Sequence, residues 1–142
     1  MGDNGIPDHV AALRQLGARH AFLNLDRVGI YGHSGGGFAS TDAILRYPDV
    51  YKVAVSTSLA QHLEGKLLLM TGDMDDNVHP AMTIQVADAL IKATKTFDFP
   101  VLPNRAHNLN EPYVVRRRWD YFVEHLMGAT PPRDFRITQP GG

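Results

Sequence analysis

The sequence predicts an α/β fold: one domain over residues 1–142, with a mainly parallel sheet of about four strands flanked by helices. Three observations carry that expectation. Short runs rich in β-formers, "RVGIYG", "KVAVSTS", "KLLLMTG" and "TFDFPVLP", alternate with segments whose apolar residues recur at helical spacing. One of these runs passes through a glycine cluster straight into a helix-like segment, at "VGIYGHSGGGFAS". A length of 142 residues supports one core and not two, and no composition shift marks a linker.

The first element, "PDHVAALRQLGARH", places Val10, Ala11, Leu13 and Leu16 near one helical face and has Pro7 in its first turn. "RVGIYG" then reads as a short buried strand ending at Gly32, and Gly35 to Pro48 as a helix stopped by proline. "KVAVSTS" and "KLLLMTG" are the second and third strands. In "TFDFPVLP", the fourth, Pro100 and Pro103 put the strand at a sheet edge or end it early. "HPAMTIQVADALIKAT" is an amphipathic helix between the third and fourth strands. "EPYVVRRRWDYFVEHLMG" is another, with Tyr113, Val114, Trp119, Phe122 and Leu126 available to pack and Gly128 to end it. Residues 129–142, "ATPPRDFRITQPGG", are rich in turn residues and form a loose C-terminal tail. One connection is short: about eight residues, Ser58 to Gly65, join the second and third strands, where a parallel crossover usually takes a dozen or more. Fully extended they span roughly 26 Å, enough to run back along a short strand without a helix.

Composition removes several function classes. Fourteen Lys and Arg against fifteen Asp and Glu leave a net charge of -1, so there is no electrostatic footprint for nucleic acid. The one basic cluster, Arg116-Arg117-Arg118, reads as a solvated helix face. No apolar run approaches the roughly 20 residues of a membrane helix, and "MGDNGIPDHV" has neither the basic start nor the apolar stretch of a signal peptide. A soluble protein, cytoplasmic rather than exported, is expected, with no membrane partner. Without cysteine there is no disulfide and no thiolate zinc site, and the seven histidines form no His-Glu-x-x-His pair, so no metal is expected. The glycine cluster lacks both Gly-Lys-Ser/Thr and a full Gly-x-Gly-x-x-Gly, so no nucleotide cofactor is implied.

What the cluster does suit is a nucleophile. A serine hydroxyl reacts at neutral pH only when it is exposed, has a base beside it and faces donors for a developing oxyanion. In Gly32-His33-Ser34-Gly35-Gly36 the glycines permit a sharp strand-to-helix turn that lifts Ser34 above the sheet, and the Gly35 amide can serve as an oxyanion donor. The helix that begins there adds its positive end. On such a turn the acid and then the histidine follow downstream. Asp73, Asp75 and Asp76 all lie in the loop after the third strand, and spacing does not separate them; helix capping is the bland role for the group. Among the later histidines, His125 lies inside the last helix and His79 opens the preceding one. His107, in "NRAHNLNEP" after the fourth strand, is the natural base. His33 precedes the acids and is read as supporting the elbow beside the substrate.

Taken in order, "DRVGIYGHSGGGFAS", "KLLLMTGDMDDNVHP" and "AHNLNEP" resemble the C-terminal catalytic domain of the prolyl oligopeptidase family of serine peptidases, especially its dipeptidyl peptidase IV branch. The resemblance spans most of residues 5–127. It implies that Ser34 is the nucleophile, Asp75 the triad acid and His107 the base. Asn77 matches a position that helps bind the substrate backbone in that branch. It also implies a truncated, minimal α/β-hydrolase, since the family's β-propeller, the first half of the hydrolase sheet and the long excursion between the second and third strands have no counterpart. A half-sheet leaves "RVGIYG" with an unpaired edge and one face covered by the last helix alone, so the chain is expected to form a homo-oligomer.

Three functions follow. The first is a serine hydrolase cleaving short-chain carboxylic esters, because the family's anchor for a peptide amine belongs to the missing region while an open site admits small acyl groups. The second is a peptidase of dipeptidyl peptidase type acting on a peptide substrate. The third is a non-catalytic truncated fragment with a residual triad.

Overall fold

The computed structural model describes residues 5–55 and 63–137. In chain order its elements are α1 (Ile6–Arg19), β1 (Val28–Tyr31), α2 (Gly35–Arg46), β2 (Tyr51–Val55), β3 (Lys66–Leu68), β4 (Thr71–Gly72), α3 (Pro80–Lys92), β5 (Val101–Leu102) and α4 (Pro112–His125). A 3-10 turn at Leu25–Arg27, opened by the Asn24 side chain accepting from the Asp26 amide, feeds β1.

Every strand pairing is parallel. β1, β2 and β3 form one sheet in that order, and β4 pairs with β5 in a second, two-stranded one. A bridge between Leu68 and Asp98 joins the two sheets, so they continue one another. The run "KLLLMTG", expected as one strand, is therefore split between β3 and β4, and "TFDFPVLP" contributes only Val101–Leu102 and the Asp98 bridge. Pro100 supplies the reason. The register is the same on both sides of the break, which sets Pro100 opposite Met70, and proline has no amide hydrogen for the ladder. The short connection between the second and third strands falls largely on residues 56–62, outside the described residues.

The sheet buries both faces. Toward one lie Ala54, Leu67 and Leu69, packed with Ile44 and Leu45 of α2 and with Ile6 and Val10 of α1. Toward the other lie Val53 and Leu68, packed with Tyr121, Phe122 and Leu126 of α4. Alternation along β3 requires this division, since successive side chains of a strand point to opposite faces. In β2 the alternation is interrupted by a register shift between Val28 and Gly29, which lets Tyr51 join the α2 face while Val53 turns to α4. On β1, Gly29 lies under Phe122 so closely that an added Cβ would stand 2.6 Å from the ring. The glycine is what allows α4 to cover this end of the sheet. β1 is an edge: among the described residues no strand pairs with its outer side.

The basic cluster does not form the solvated face its composition suggests. Arg116 pairs with Asp120 at 2.7 Å and Arg117 reaches Asp98 at 3.4 Å, fastening α4 to the strand edge before β5. Arg116 also donates to the Pro132 and Phe135 carbonyls and lies over the Phe135 ring, holding the described part of the tail against α4. Among the described residues no helix is long and apolar enough to cross a membrane.

Leu68, with no exposed surface, touches the α4 layer from the strand that links the two sheets. Leu68→Ala is expected to lower the unfolding free energy by about 2–5 kcal/mol, read from the urea midpoint at constant slope.

Candidate active site

Ser34, Asp75 and His107 all follow the C-terminal ends of parallel strands, where side chains of separate loops converge. Ser34 stands between β1 and α2 with φ 55° and ψ -124°, a left-handed conformation that costs a non-glycine residue on the order of 1–3 kcal/mol. Its side chain caps no amide of α2, so the exposed hydroxyl is not engaged by the helix it precedes. The tightness of the turn is set at Gly32, where an added Cβ would collide with the Gly36 carbonyl. Gly35 and Gly36, by contrast, have nothing within 4 Å of an added Cβ and leave open space over the helix start. The Gly36 amide is spent on the His33 carbonyl at 2.9 Å. The Gly35 amide belongs to the first turn of α2, whose donors have no acceptor within the helix.

The acid and the histidine arrive on two loops bound to each other by backbone. Gly72 lies against the Arg105 and Ala106 carbonyls with no room for a side chain. The Met74 amide donates to the Arg105 carbonyl at 3.0 Å, the Asp73 amide to the Leu102 carbonyl at 3.2 Å, and the Asp73 carboxylate accepts from the Arg105 amide at 3.3 Å. Asp73 thus serves as a brace. Asp76 is exposed, whereas Asp75 is 7% exposed and meets His107 Nδ1 at 2.9 Å. The three acids that spacing left equivalent are separated by this geometry. Because a carboxylate only accepts, Nδ1 of the His107 ring is the donor in this bond, and in the neutral ring Nε2 keeps its lone pair.

Burial pushes the Asp75 carboxyl up, but hydrogen bonds from the His107 ring and from the Val78 and Asn77 amides outweigh it. The net effect holds the group below the ordinary carboxylate value. Asp75 is therefore a fixed anion at neutral pH.

Ser34, Asp75 and His107 line one small cavity, with His33, Met70, Thr71 and Leu109 around them. His33 plays a part its position alone did not reveal. Its Nε2 donates to the His107 carbonyl at 2.6 Å and its ring lies 4.5 Å from the His107 ring, so the residue before Ser34 holds the backbone of the candidate base. The Asn77 amide donates to the Asp75 carboxylate at 3.0 Å, and its side chain is exposed on the same loop. His79 accepts from the Ala81 amide and opens α3, and the His125 ring packs on Tyr121, so both later histidines are engaged elsewhere. The structure also brings Arg118 to the Ser34 cleft, which the sequence did not single out. Its signal was the four-residue step from Val114, another lining residue one helical turn earlier.

A serine on a strained strand-to-helix turn, with an aspartate and a histidine on later loops of the same parallel sheet, is an arrangement of the α/β-hydrolase fold. The chain belongs to the prolyl oligopeptidase family, whose model matches residues 1–60 and 58–129. It is 30% identical to human dipeptidyl peptidase 8 over 149 aligned residues, covering 79% of this chain and 17% of the relative. The mouse dipeptidyl peptidase 8 is 29% identical with the same coverage. The chain thus spans 17% of the length of these curated relatives. Among solved structures, dipeptidyl peptidase 4 of Porphyromonas gingivalis superposes with a TM-score of 0.77 at 21% identity, over 85% of this chain and 22% of that one. A Bacteroides ovatus chain gives 0.79 at 23% identity, over 85% and 22%. These superpositions show the fold.

The depressed Asp75 value sets a direction for stability. Its contribution is complete above the ordinary carboxylate range of about 4 and is lost as pH falls through the lower folded-state value. The stability gap between the wild type and Asp75→Asn should therefore be widest near neutrality and close below pH about 4, in urea melts along a pH series. A gap of constant size down to pH about 3 would contradict the assignment.

Proposed function

We propose that this chain carries the acyl-transfer site of a serine peptidase of dipeptidyl peptidase type, with Ser34 as nucleophile. The observation that supports it is the His107 ring held 2.9 Å from the buried Asp75 carboxylate in the cavity that Ser34 lines. His107 Nε2 takes the Ser34 proton as Oγ attacks the scissile carbonyl, and Asp75 stabilises the resulting imidazolium. The Gly35 amide, at the positive end of α2, binds the oxyanion. His107 then gives the proton to the leaving amine, and water activated by the same ring releases the acyl group and restores Ser34. His33 keeps the ring in register through the His107 carbonyl. The dipeptidyl peptidase relatives favour a peptide substrate.

Hydrolysis of short-chain esters is the second reading, supported by the open space above Gly35 and Gly36, which admits a small activated acyl group. A dipeptidyl-proline anilide assayed beside a short-chain nitrophenyl ester separates the two by which is turned over with the higher kcat/KM. A fluorophosphonate probe tests the shared chemistry: an adduct on Ser34 is expected, absent in Ser34→Ala. Asp75→Asn should keep the fold yet lower kcat by about 10⁴, because the imidazole loses the partner that sets its tautomer. A folded chain that takes no probe would leave the non-catalytic reading.

Self-association belongs to the same proposal. Among the described residues the outer edge of β1 has no strand partner, and Tyr31 at its end is 53% exposed. Sedimentation velocity should give a species heavier than the 15.7 kDa chain; a monodisperse monomer would remove this part of the proposal.

A further inference from the structure

We infer that Arg118 is a specificity residue that binds a carboxylate carried by the substrate close to the scissile carbonyl. This rests on the reading of Ser34 as nucleophile. The cleft beside Ser34 is walled by Tyr31, Met70, Leu109, Asn110 and Arg118 among others, and no lining residue is an acid. Among the described residues that line it, Arg118 alone carries a permanent charge, in an otherwise largely apolar wall.

The three consecutive arginines of α4 differ in what they touch. Arg116 and Arg117 have carboxylate partners, Asp120 and Asp98. Arg118 has no carboxylate partner among the described residues; its guanidinium lies 4.7 Å from the centroid of the Tyr31 ring. The ring face attracts the cation but cannot accept from the in-plane N–H groups. One of those donors, Nε, is shut off from solvent and has no acceptor among the described residues. Burial of Nε leaves the guanidinium poorly solvated, and a carboxylate entering the cleft would offset that cost by meeting its two terminal nitrogens with paired N–H···O bonds.

The guanidinium is also held in place. Tyr31 packs edge-on against Phe122 of α4, so the ring beneath Arg118 is braced by the helix that carries it. Val114, one turn before Arg118, lines the same cleft, which aims this face of α4 at Ser34. A preorganised fork favours a planar anion over a solvated one, and lysine could not reproduce it. The carboxylate can belong to the acyl portion or to the free C-terminus of a peptide leaving group; both present the same chemistry.

The experiment compares matched substrate pairs on the full chain. For the acyl side, the nitrophenyl monoester of glutaric acid is set against the neutral nitrophenyl valerate. For the leaving side, a tripeptide with a free C-terminus is set against its amide. In at least one pair the carboxylate member should have kcat/KM higher by about tenfold or more, mainly through KM, with the pair that responds naming the source. Arg118→Gln should bring that ratio to about one, and Arg118→Lys should restore only part of it. A ratio near one for both pairs in the wild type, or a ratio unchanged in Arg118→Gln, overturns the inference. Should nothing be turned over and the fluorophosphonate leave Ser34 unlabelled, the reading of Ser34 fails separately. Calorimetric titration of Ser34→Ala with glutarate monomethyl ester and the acetylated tripeptide then tests Arg118 alone. Binding of either that is lost on adding Arg118→Gln supports the carboxylate site, and binding of neither overturns it. If Arg118→Gln fails to fold, Arg118→Lys carries the comparison, with a weakened preference expected and an unchanged one counting against the fork.

Discussion

The close backbone approach of Gly72 to Arg105 and Ala106 is the constraint on which the candidate site depends. β4 and β5 are only two residues long each, too short to align two loops by strand pairing alone. The alignment comes instead from glycine at the contact, the Met74 amide on the Arg105 carbonyl, and the Asp73 carboxylate on the Arg105 amide. These contacts bring Asp75 within 2.9 Å of His107, and the Val78 and Asn77 amides then hold the carboxylate as an anion. Geometry and charge state thus have a common origin in how two loops are stapled.

Ser34 reaches the same cavity by a different route. Its strained backbone is stabilised by a glycine contact between Gly32 and Gly36 and by a helix whose buried face, through Ala43, Ile44 and Leu45, is anchored in the core. The local cost of the turn is offset by burial several residues away. His33 connects the two halves of the site, since its ring bonds to the carbonyl of His107 while its own carbonyl accepts from the Gly36 amide. A side chain next to the candidate nucleophile in sequence is here a support for the candidate base, 74 residues along the chain.

Much of the fold was legible because each long element announces itself locally. The apolar spacing of α1, α3 and α4 and the prolines at Pro7, Pro80 and Pro112 delimit three helices, and the run into Gly32 marks β1 and the turn after it. The third and fourth strands were less legible. "KLLLMTG" has no internal breaker; its division is imposed by Pro100 on the neighbouring strand, a residue thirty positions away that is adjacent only once the sheet forms. The arginine cluster was misleading for a related reason. Charge spacing along a helix does not reveal that Asp98, Tyr31 and the Phe135 segment would lie beside it.

By itself, the sequence determined the α/β class, the order of serine, acid and histidine, and the turn on which Ser34 is mounted, because glycine patterns and periodicity act over a few residues. Only the tertiary structure decided that the Asp75 carboxylate meets the His107 ring, that Asp73 braces the loop, that the His33 ring bonds the His107 carbonyl, and that Arg118 stands in the cleft with a donor unmet among the described residues. Each of these depends on burial and on contacts between segments far apart in the chain, and a hydrogen bond made at 2.9 Å across two loops leaves no periodic trace in either of them.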